Sequence, residues 1–545
     1  MSPPRRVALL LIGLVPSVLA GHPARTAAAR ASGERPSFAS RPRAVAGGDD
    51  SVTHPSDAQY RAALGLVYDG AFAAAAERLA ALAEEDPLDP VGPYLHALAL
   101  EWRLEQDRAR RDLDAEVLRL ADVALARAAA RLGHEPGDGR ALLARGAAHG
   151  VKSRLHLFRR QKAEAARESV RMRESLLAAR DGGVLVSDLD FGLGLYDYYA
   201  DTLPRLFRLV RFFAGIPGGD RERGLDAIAR AARGGTLFHG TEARVQMFEI
   251  QSYFEDDPDG ALHWIREMRR EYPGWPLWGL KLSELLRERL GLFDESASVA
   301  REILETAEEG RHVNYQPVVA AMARVALGEA LLDDGRPAAA REAAAPAEPG
   351  CEEAGWVGPR ASLVVGRSLD LEGEREAAVD HYRRAAAGED ARAAERARAA
   401  LAHPPSAAER RAARLLAEAA RLREAGRVEE ARASCLEALR ARPADAEARV
   451  CVAEDRIEKG DADAARALVR GVATSDEEPA WILSRARLVL ARALEQRGDG
   501  ESALRLYNQL WQAPLGRPSV REAAAAGIRR LSPATELPDA PRWER

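Results

Sequence analysis

Few side chains in this sequence have the types and spacing that metal binding or nucleophilic catalysis requires. Residues 255–260 resemble the start of a calcium-binding loop, but the twelfth position is Arg266, where such a loop needs a bidentate glutamate. His149 and His156 lie two helical turns apart, which is more typical of core or surface histidines than of metal ligands. No other motif of a metal site or a catalytic triad is present. We therefore predict a protein that is not an enzyme and that needs no metal or cofactor.

The cysteines leave two interpretations open. Cys351, Cys435 and Cys451 are the three cysteines of the chain, and their spacing matches no zinc or redox motif. Cys435 and Cys451 form a disulfide if the protein is exported, or they are buried thiols between packed helices. We favour the buried thiols.

Composition favours helices and argues against nucleic acid as a partner. The 545 residues carry a net charge of −5, with arginine and glutamate interleaved along the chain rather than gathered in a basic patch. Aromatic residues make up only 6%, so the core must consist mainly of alanine and leucine, which suits closely packed helices. Few segments are rich in Val, Ile and Thr, which makes strands unlikely to form.

The N-terminal residues have the pattern of an export signal. Arg5 and Arg6 precede a short apolar run that ends at Ala20, which predicts a signal peptide over residues 1–20 or, as the alternative, an uncleaved anchor. No cysteine follows the cleavage point, so there is no lipoprotein signal, and residues 21–55 are predicted to be a disordered leader. We expect an exported protein, either periplasmic or secreted.

A repeated pattern of small residues and glycines organises the rest of the chain. Its clearest copy, residues 412–443, contains a turn glycine, three small residues and a final proline: Gly426, Ala431, Cys435, Ala438 and Pro443. Two antiparallel helices can cross closely only where their side chains are small, and glycine suits the turn between them. The same spacing recurs elsewhere: Gly70 with Ala75, Gly335 with Ala340, Gly373 with Ala378, Gly460 with Ala465, Gly498 with Ala503, and Ala261 with Pro273.

This pattern resembles the tetratricopeptide repeat (TPR), a helix pair of ~34 residues, over most of residues 56–514. The resemblance implies an all-α fold, a TPR-type helical-hairpin solenoid or superhelix. We predict an irregular TPR-like array at 56–400, a boundary near Pro404 and Pro405, a regular TPR array at 406–515, and a C-terminal helix and tail at 516–545.

One repeat is interrupted by an amphipathic insertion. Gly194 and Gly224 take the small positions of a hairpin and Gly219 takes its turn, which leaves an insertion at about 201–218. Within it, residues 203–216 predict a helix with arginines on one side and a wide apolar arc: Arg205, Arg208 and Arg211, with Leu206, Phe207, Phe212 and Phe213. This helix either packs on the solenoid or docks on a membrane surface or an apolar ligand.

The surrounding segment carries a second resemblance. Residues 192–273 are similar to exported bacterial TPR proteins of unassigned function and, more faintly, to a TPR family of the mitochondrial outer membrane that handles lipid and protein inclusions. Neither resemblance brings a catalytic residue.

Function follows from the face that a TPR solenoid offers to partners. Its concave surface is lined by the first helix of each pair, which predicts a groove formed by Arg360, Arg367, Asp370, Arg423, Glu424, Glu454, Glu458, Arg485 and Arg492. We therefore predict a non-enzymatic scaffold of the cell envelope that binds a protein or peptide. The alternative is a peripheral membrane protein or a carrier of apolar ligands that uses the 203–216 helix, with Trp275 and Trp278.

Overall fold

The computed structural model describes residues 53–105, 110–202, 217–234, 236–255, 257–310, 314, 317–351, 354–475, 478–512 and 518–533. Within these ranges the chain forms helices and turns without a strand, which confirms the predicted all-α class. The predicted signal peptide, nearly all of the leader and the 203–216 helix lie outside the described residues.

The described chain divides into two compact units. The first contains the residues up to Met247 together with Glu271–Trp275, and the second contains Phe248–Arg270 and the residues from Pro276 onward. Pro404 and Pro405, where we predict the change from the irregular to the regular array, lie inside the second unit.

The first unit is built from successive antiparallel helices. They are α1 (Asp57–Tyr68), α2 (Phe72–Glu85), α3 (Val91–Arg103), α4 (Asp114–His134), α5 (Gly139–Phe158), α6 (Lys162–Asp181), α7 (Ser187–Thr202), α8 (Arg221–Arg233) and the start of α9 (Gly240–Tyr253). From α1 to α8 each helix packs on the next, most extensively α5 on α6 and α7 on α8.

The second unit begins with an irregular stack of hairpins. It contains α10 (Pro258–Glu271), α11 (Pro276–Leu285) with a π-helical turn at Leu286–Leu290, α12 (Phe293–Glu308), α13 (Pro317–Asp333), α14 (Pro337–Ala344), α15 (Val357–Glu372), α16 (Arg375–Ala387) and α17 (Ala391–Ala402).

A more regular stack completes the second unit. It comprises α18 (Ala407–Glu424), α19 (Val428–Ala441), α20 (Ala446–Glu458), α21 (Ala462–Val469), α22 (Ala480–Gln496), α23 (Gly500–Gln512) and α24 (Pro518–Leu531). Its first helix starts at a capping box, in which Ser406 and Glu409 each bond the other's backbone N–H. Consecutive helices pack on each other throughout this stack, whereas α17 and α18 share few contacts.

The predicted repeat positions are confirmed. Gly426 ends the turn after α18 with φ +72°, a conformation that suits glycine. The alanines predicted at the close helix crossings are all 0% exposed: Ala75, Ala261, Ala340, Ala378, Ala431, Ala465 and Ala503. Since the phase of the repeat was set by these alanines, their complete burial establishes that phase along both units.

The hairpin around the predicted insertion is also confirmed. A Cβ atom on Gly224 of α8 would lie 2.5 Å from the Tyr198 backbone N and 2.7 Å from the Gly194 carbonyl oxygen of α7. The two helices can cross this closely because both residues at the crossing, Gly194 and Gly224, lack a side chain. Gly219 has a different role from the other turn glycines, because a Cβ there would collide with the Asp197 carbonyl. The residues between the two helices lie outside the described part of the chain.

Candidate functional site

Ion pairs connect the first helices of consecutive hairpins in the second unit. Arg360 on α15 donates to both carboxylate oxygens of Glu329 on α13 from one guanidinium edge, its Nε and Nη2, at 2.6–3.0 Å. Arg485 on α22 bonds Glu454 on α20 in the same two-pronged way, at 2.8 Å for each contact. Each pair spans 31 residues, which is one hairpin. Bidentate arginine–carboxylate pairs are strong and directional, so they hold neighbouring hairpins in register.

Arg287 is the centre of the first of these networks. It lies on the π-helical turn, is buried, and bonds Asp333 at 2.8 Å, Glu288 at 2.8 Å and Glu329 at 3.1 Å. Burial opposes its charge, but the surrounding carboxylates raise the pKa of Arg287. Burial would also raise the pKa of Glu329, yet Arg360 and Arg287 lower it to about 2. Both groups are therefore ionised over the physiological range.

Two more arginines lie at the edge of this network. Arg392 on α17 reaches Glu288 at 3.0 Å, and Arg367 on α15 lies 3.7 Å from Asp333. We call the combined set the charged face: Arg287, Glu288, Glu329, Asp333, Arg360, Arg367, Arg392 and, one helical turn beyond Arg392, Arg396.

The structure brings together some of the predicted groove residues and separates others. Arg423 and Arg485 both approach Glu454, at 3.6 and 2.8 Å, so these three belong to one network. Glu458 instead turns to Arg432 on α19, at 2.5 Å. Arg492 is half-buried on α22.

Asp370 differs from the prediction. It was expected to face a partner, but it is buried and accepts hydrogen bonds from Arg375 at 2.6 Å and from the Tyr382 hydroxyl at 3.0 Å. The side chain of Asp370 lies between α15 and α16, the two helices of one hairpin. Its carboxylate therefore stabilises that hairpin.

Two first helices of the regular stack that carry predicted groove residues are contacted by turns of the irregular stack. A Cβ on Gly335, in the turn before α14, would meet the Ala417 side chain of α18. The turn at Gly291 rests on Trp481 of α22, whose ring also meets Phe293 edge-on at 5.6 Å. The hairpin turns of the irregular stack therefore cover first helices of the regular stack.

Several acidic side chains lie near the contact between the Gly335 turn and α18. Burial raises the pKa of Asp334, beside Gly335, to about 6, and the nearby Asp294 and Glu424 contribute to the rise. Glu424, a predicted groove residue, thus lies near the turn at Gly335.

Cys435 and Cys451 correct the favoured interpretation of separate thiols. Their sulfurs are joined in a disulfide between α19 and α20, with the Cα atoms 5.9 Å apart, within the usual range for such a bond. Arg423 lies beside it, with its guanidinium 3.0 Å from the Cys451 sulfur. Cys351 is a free thiol.

A separate buried cluster lies in the first unit. Glu101 on α3 is 0% exposed and pairs with Arg154 on α5 at 2.8 Å, and Arg154 also reaches Glu242 on α9 at 3.0 Å. Glu242 accepts further hydrogen bonds from the Tyr68 hydroxyl and the Trp102 indole. Two carboxylates thus share one guanidinium, and burial raises the pKa of Glu101 to about 7.

The tryptophans of the carrier hypothesis are core residues. Trp275 packs against Gly70, Phe72 and Trp102, and Trp278 is completely buried in the second unit. Neither side chain therefore lines an open groove.

The docking helix of the same hypothesis stays a prediction, because its residues fall outside the described chain: Arg205, Leu206, Phe207, Arg208, Arg211, Phe212 and Phe213. In the part of the chain that the structure describes, no helix combines the length and apolarity needed to cross a bilayer. The same part holds no cluster of metal-ligating side chains.

The residues that sequence reasoning missed are Arg287, Glu288, Glu329, Asp333, Arg392 and Arg396. Glu329 could have been predicted from the sequence, because it precedes Arg360 by one hairpin, just as Glu454 precedes Arg485. The π-helical turn that places Arg287 between three carboxylates has no comparable signal in the sequence.

Fold and site together define an all-α protein built from helical-hairpin repeats. No protein-family model matches the sequence, and no curated protein matches it. Among solved structures, the chain is similar to the TPR domain of P58(IPK), with 11% identity, a TM-score of 0.22, and coverage of 89% of this chain and 100% of that one.

Two further solved structures are similar. A monomeric mutant of IFIT1 with Gppp-AAAA shows 12% identity and a TM-score of 0.26, covering 70% of this chain and 81% of that one. The APC/C hetero-tetramer Cut9–Hcn1 shows 12% identity and a TM-score of 0.25, covering 89% and 95%. Scores this low transfer no function to this chain.

Proposed function

We propose that this protein is a non-enzymatic scaffold that binds a protein or peptide partner along the charged face of its second unit. The observation that carries the proposal is the fixed placement of accessible charges on successive first helices. Arg367 is 42% exposed at its side chain and Arg392 is 26% exposed, while the buried Arg287 network beneath them joins three helices.

Rigidity is what this arrangement offers a partner. The bidentate pair of Arg360 with Glu329 holds α15 against α13, so the exposed side chains keep their spacing before a partner arrives. A surface that is already ordered loses less conformational entropy on binding. A flexible charged loop would lose more conformational entropy on binding than the charged face does.

Site-specific photo-cross-linking tests the proposal. A photo-reactive amino acid in place of Arg367, on the charged face, should give discrete adducts with a partner protein in native cells. The same amino acid in place of Arg383, an exposed residue of the second helix α16, should not. Equal adducts from both positions, or none from position 367, would show that the charged face does not contact a partner.

The cellular setting is a separate proposal: we infer that the protein is exported to the periplasm or beyond. The basic residues Arg5 and Arg6 before a short apolar run support export, and so does the pairing of Cys435 with Cys451, because disulfides persist in oxidising compartments.

Mass spectrometry of native protein under non-reducing conditions tests this setting. We expect a mature chain that begins near Gly21 and a cross-linked peptide pair that contains Cys435 and Cys451, with Cys351 open to alkylation. An intact N-terminal peptide over residues 1–20, with all three cysteines alkylated, would contradict export.

A further inference from the structure

The regular stack folds back on the irregular stack at the link between α17 and α18, residues 403–406. Contacts between the two stacks pair Gly335 with Ala417, Gly291 with Trp481, and Asp259 with Arg521. In these pairs, a residue that lies further before the link meets a residue that lies further after it. The two stacks therefore run antiparallel to each other, as the two arms of a hairpin do.

The same parts of the two stacks meet at each contact. Gly335, Gly291 and Asp259 lie at or next to the turns that join α13 to α14, α11 to α12 and α9 to α10. Their partners lie on α18, α22 and α24, which are first helices of the regular stack. The turns of the irregular stack thus lie against helices that carry predicted groove residues: Arg423, Glu424, Arg485 and Arg492.

The apolar contact at Trp481 contributes most to holding the two stacks together. The Trp481 ring packs on the Gly291 turn and meets Phe293 edge-on, and the residue is only 7% exposed. The ion pair of Arg521 with Asp259, at 3.6 Å, is buried, so the cost of desolvating both groups offsets much of their attraction.

Like charges weaken the contact at Gly335. The negative charges of Asp294 and Glu424 act on Asp334 there, and they are opposed by the positive charges of Arg336 and Arg421. A contact of this kind holds two stacks less firmly than a large apolar interface does.

The link between the stacks adds little packing. Helices α17 and α18 share few contacts, and His403 and Pro404 are exposed. The capping box of Ser406 and Glu409 lies wholly at the start of α18. Rotation about the link would therefore leave the packing inside each stack intact.

We propose that the second unit is the closed form of a two-arm structure, and that the regular stack swings about residues 403–406 to uncover α18 and α22. The closed form is autoinhibitory, because a partner that follows the first helices from α18 to α22 must displace the turns at Gly335 and Gly291. This device goes beyond the proposed binding of a partner at the charged face, which lies on the irregular stack.

Hydroxyl-radical footprinting of the full-length protein tests the opening, with the oxidation of Trp481 measured by mass spectrometry. Ala417→Arg adds a long side chain where α18 meets the Gly335 turn, and overpacking there should shift the equilibrium toward the open form by about tenfold. Trp481 lies on another helix, so its oxidation should rise severalfold only if the whole regular stack moves. Ala420→Arg, at an exposed position of α18, should leave the oxidation unchanged. Small-angle X-ray scattering should show a larger radius of gyration for Ala417→Arg alone.

Charge reversal provides an independent variant outside the core. Arg421 is exposed on α18, and Arg421→Glu replaces a charge that attracts Asp334 with one that repels it. The oxidation of Trp481 should again rise severalfold. High salt should reverse this rise by screening the repulsion, but it should not reverse the effect of Ala417→Arg.

Unchanged Trp481 oxidation in folded Ala417→Arg would overturn the proposal, and so would an equal rise in Ala420→Arg. If circular dichroism shows that Ala417→Arg is unfolded, unchanged oxidation in Arg421→Glu overturns the proposal instead. These measurements need no partner. Their failure would therefore leave the charged face and its photo-cross-linking test unaffected.

Discussion

Replacing Glu329 with glutamine should lower the free energy of unfolding of the second unit by about 3 kcal/mol, the lower end of the cost of breaking a buried ion pair. The side chains of Glu329 and Arg360 are 13% and 18% exposed, so the guanidinium loses its partner where little water can replace it. Arg287 loses one of its three carboxylates at the same time. Urea denaturation followed by circular dichroism measures the difference.

An exposed pair provides the matched control for this experiment. Asp380 and Arg383 on α16 lie 3.0 Å apart and are 69% and 70% exposed, so Asp380→Asn should change stability by no more than about 0.5 kcal/mol. Equal losses for Glu329→Gln and Asp380→Asn would contradict the structural role assigned to the buried network.

Acid provides a second measurement of the same pair. The folded pKa of Glu329 is about 2, below its ordinary 4.5, so its stabilisation is present above pH 4.5 and is lost as the pH falls toward 2. The difference in stability between wild type and Glu329→Gln should therefore shrink in acid. A constant difference across this range would show that the substitution acts through packing instead of charge.

The first unit should respond to pH in the opposite direction. The pKa of Glu101 is raised from 4.5 to about 7, so the folded state binds a proton that the unfolded state releases. Its contribution is fully present below pH 4.5 and is lost as the pH rises through 7. Over this window Glu101→Gln should gain about 3 kcal/mol in stability relative to wild type, because each pKa unit corresponds to about 1.4 kcal/mol.

Thermal or urea unfolding at several pH values between 4.5 and 8 measures this gain. Glu116→Gln is the control, because the side chain of Glu116 on α4 is 43% exposed and the hydrogen bond from Arg119 lowers its pKa, so it titrates below this window. Glu116→Gln should keep the pH dependence of the wild type. Parallel curves for wild type and Glu101→Gln would mean that Arg154 keeps Glu101 ionised in the folded protein.

Much of the fold could be predicted from the sequence, because hairpin geometry is local. A close crossing needs small side chains at fixed distances from a turn, and only a few residue types meet that need. Ala431 and Gly426 satisfy it within one repeat, and Gly194 and Gly224 satisfy it across a long interruption. The predicted spacing was therefore sufficient to establish the helix pairs and their phase.

The candidate site could be predicted only in part. The first-helix rule found Arg360, but the carboxylate that holds it lies on the preceding hairpin. Asp370 satisfied the same rule and is nevertheless buried against Tyr382. A charged residue stays accessible only if no long side chain of another helix covers it. The sequence of its own helix does not show this.

The sequence by itself determined the class of the protein, its helix pairs, its turns and the small residues where helices cross. Only the tertiary structure decided that Arg287 joins three carboxylates, that Cys435 meets Cys451, and that the turn at Gly335 covers α18. The physical reason is range. Backbone conformation and close helix crossings depend on neighbours within one hairpin. Ion pairs, disulfides and covered surfaces depend instead on the rotation of each hairpin relative to the next. That rotation is set by many weak contacts together.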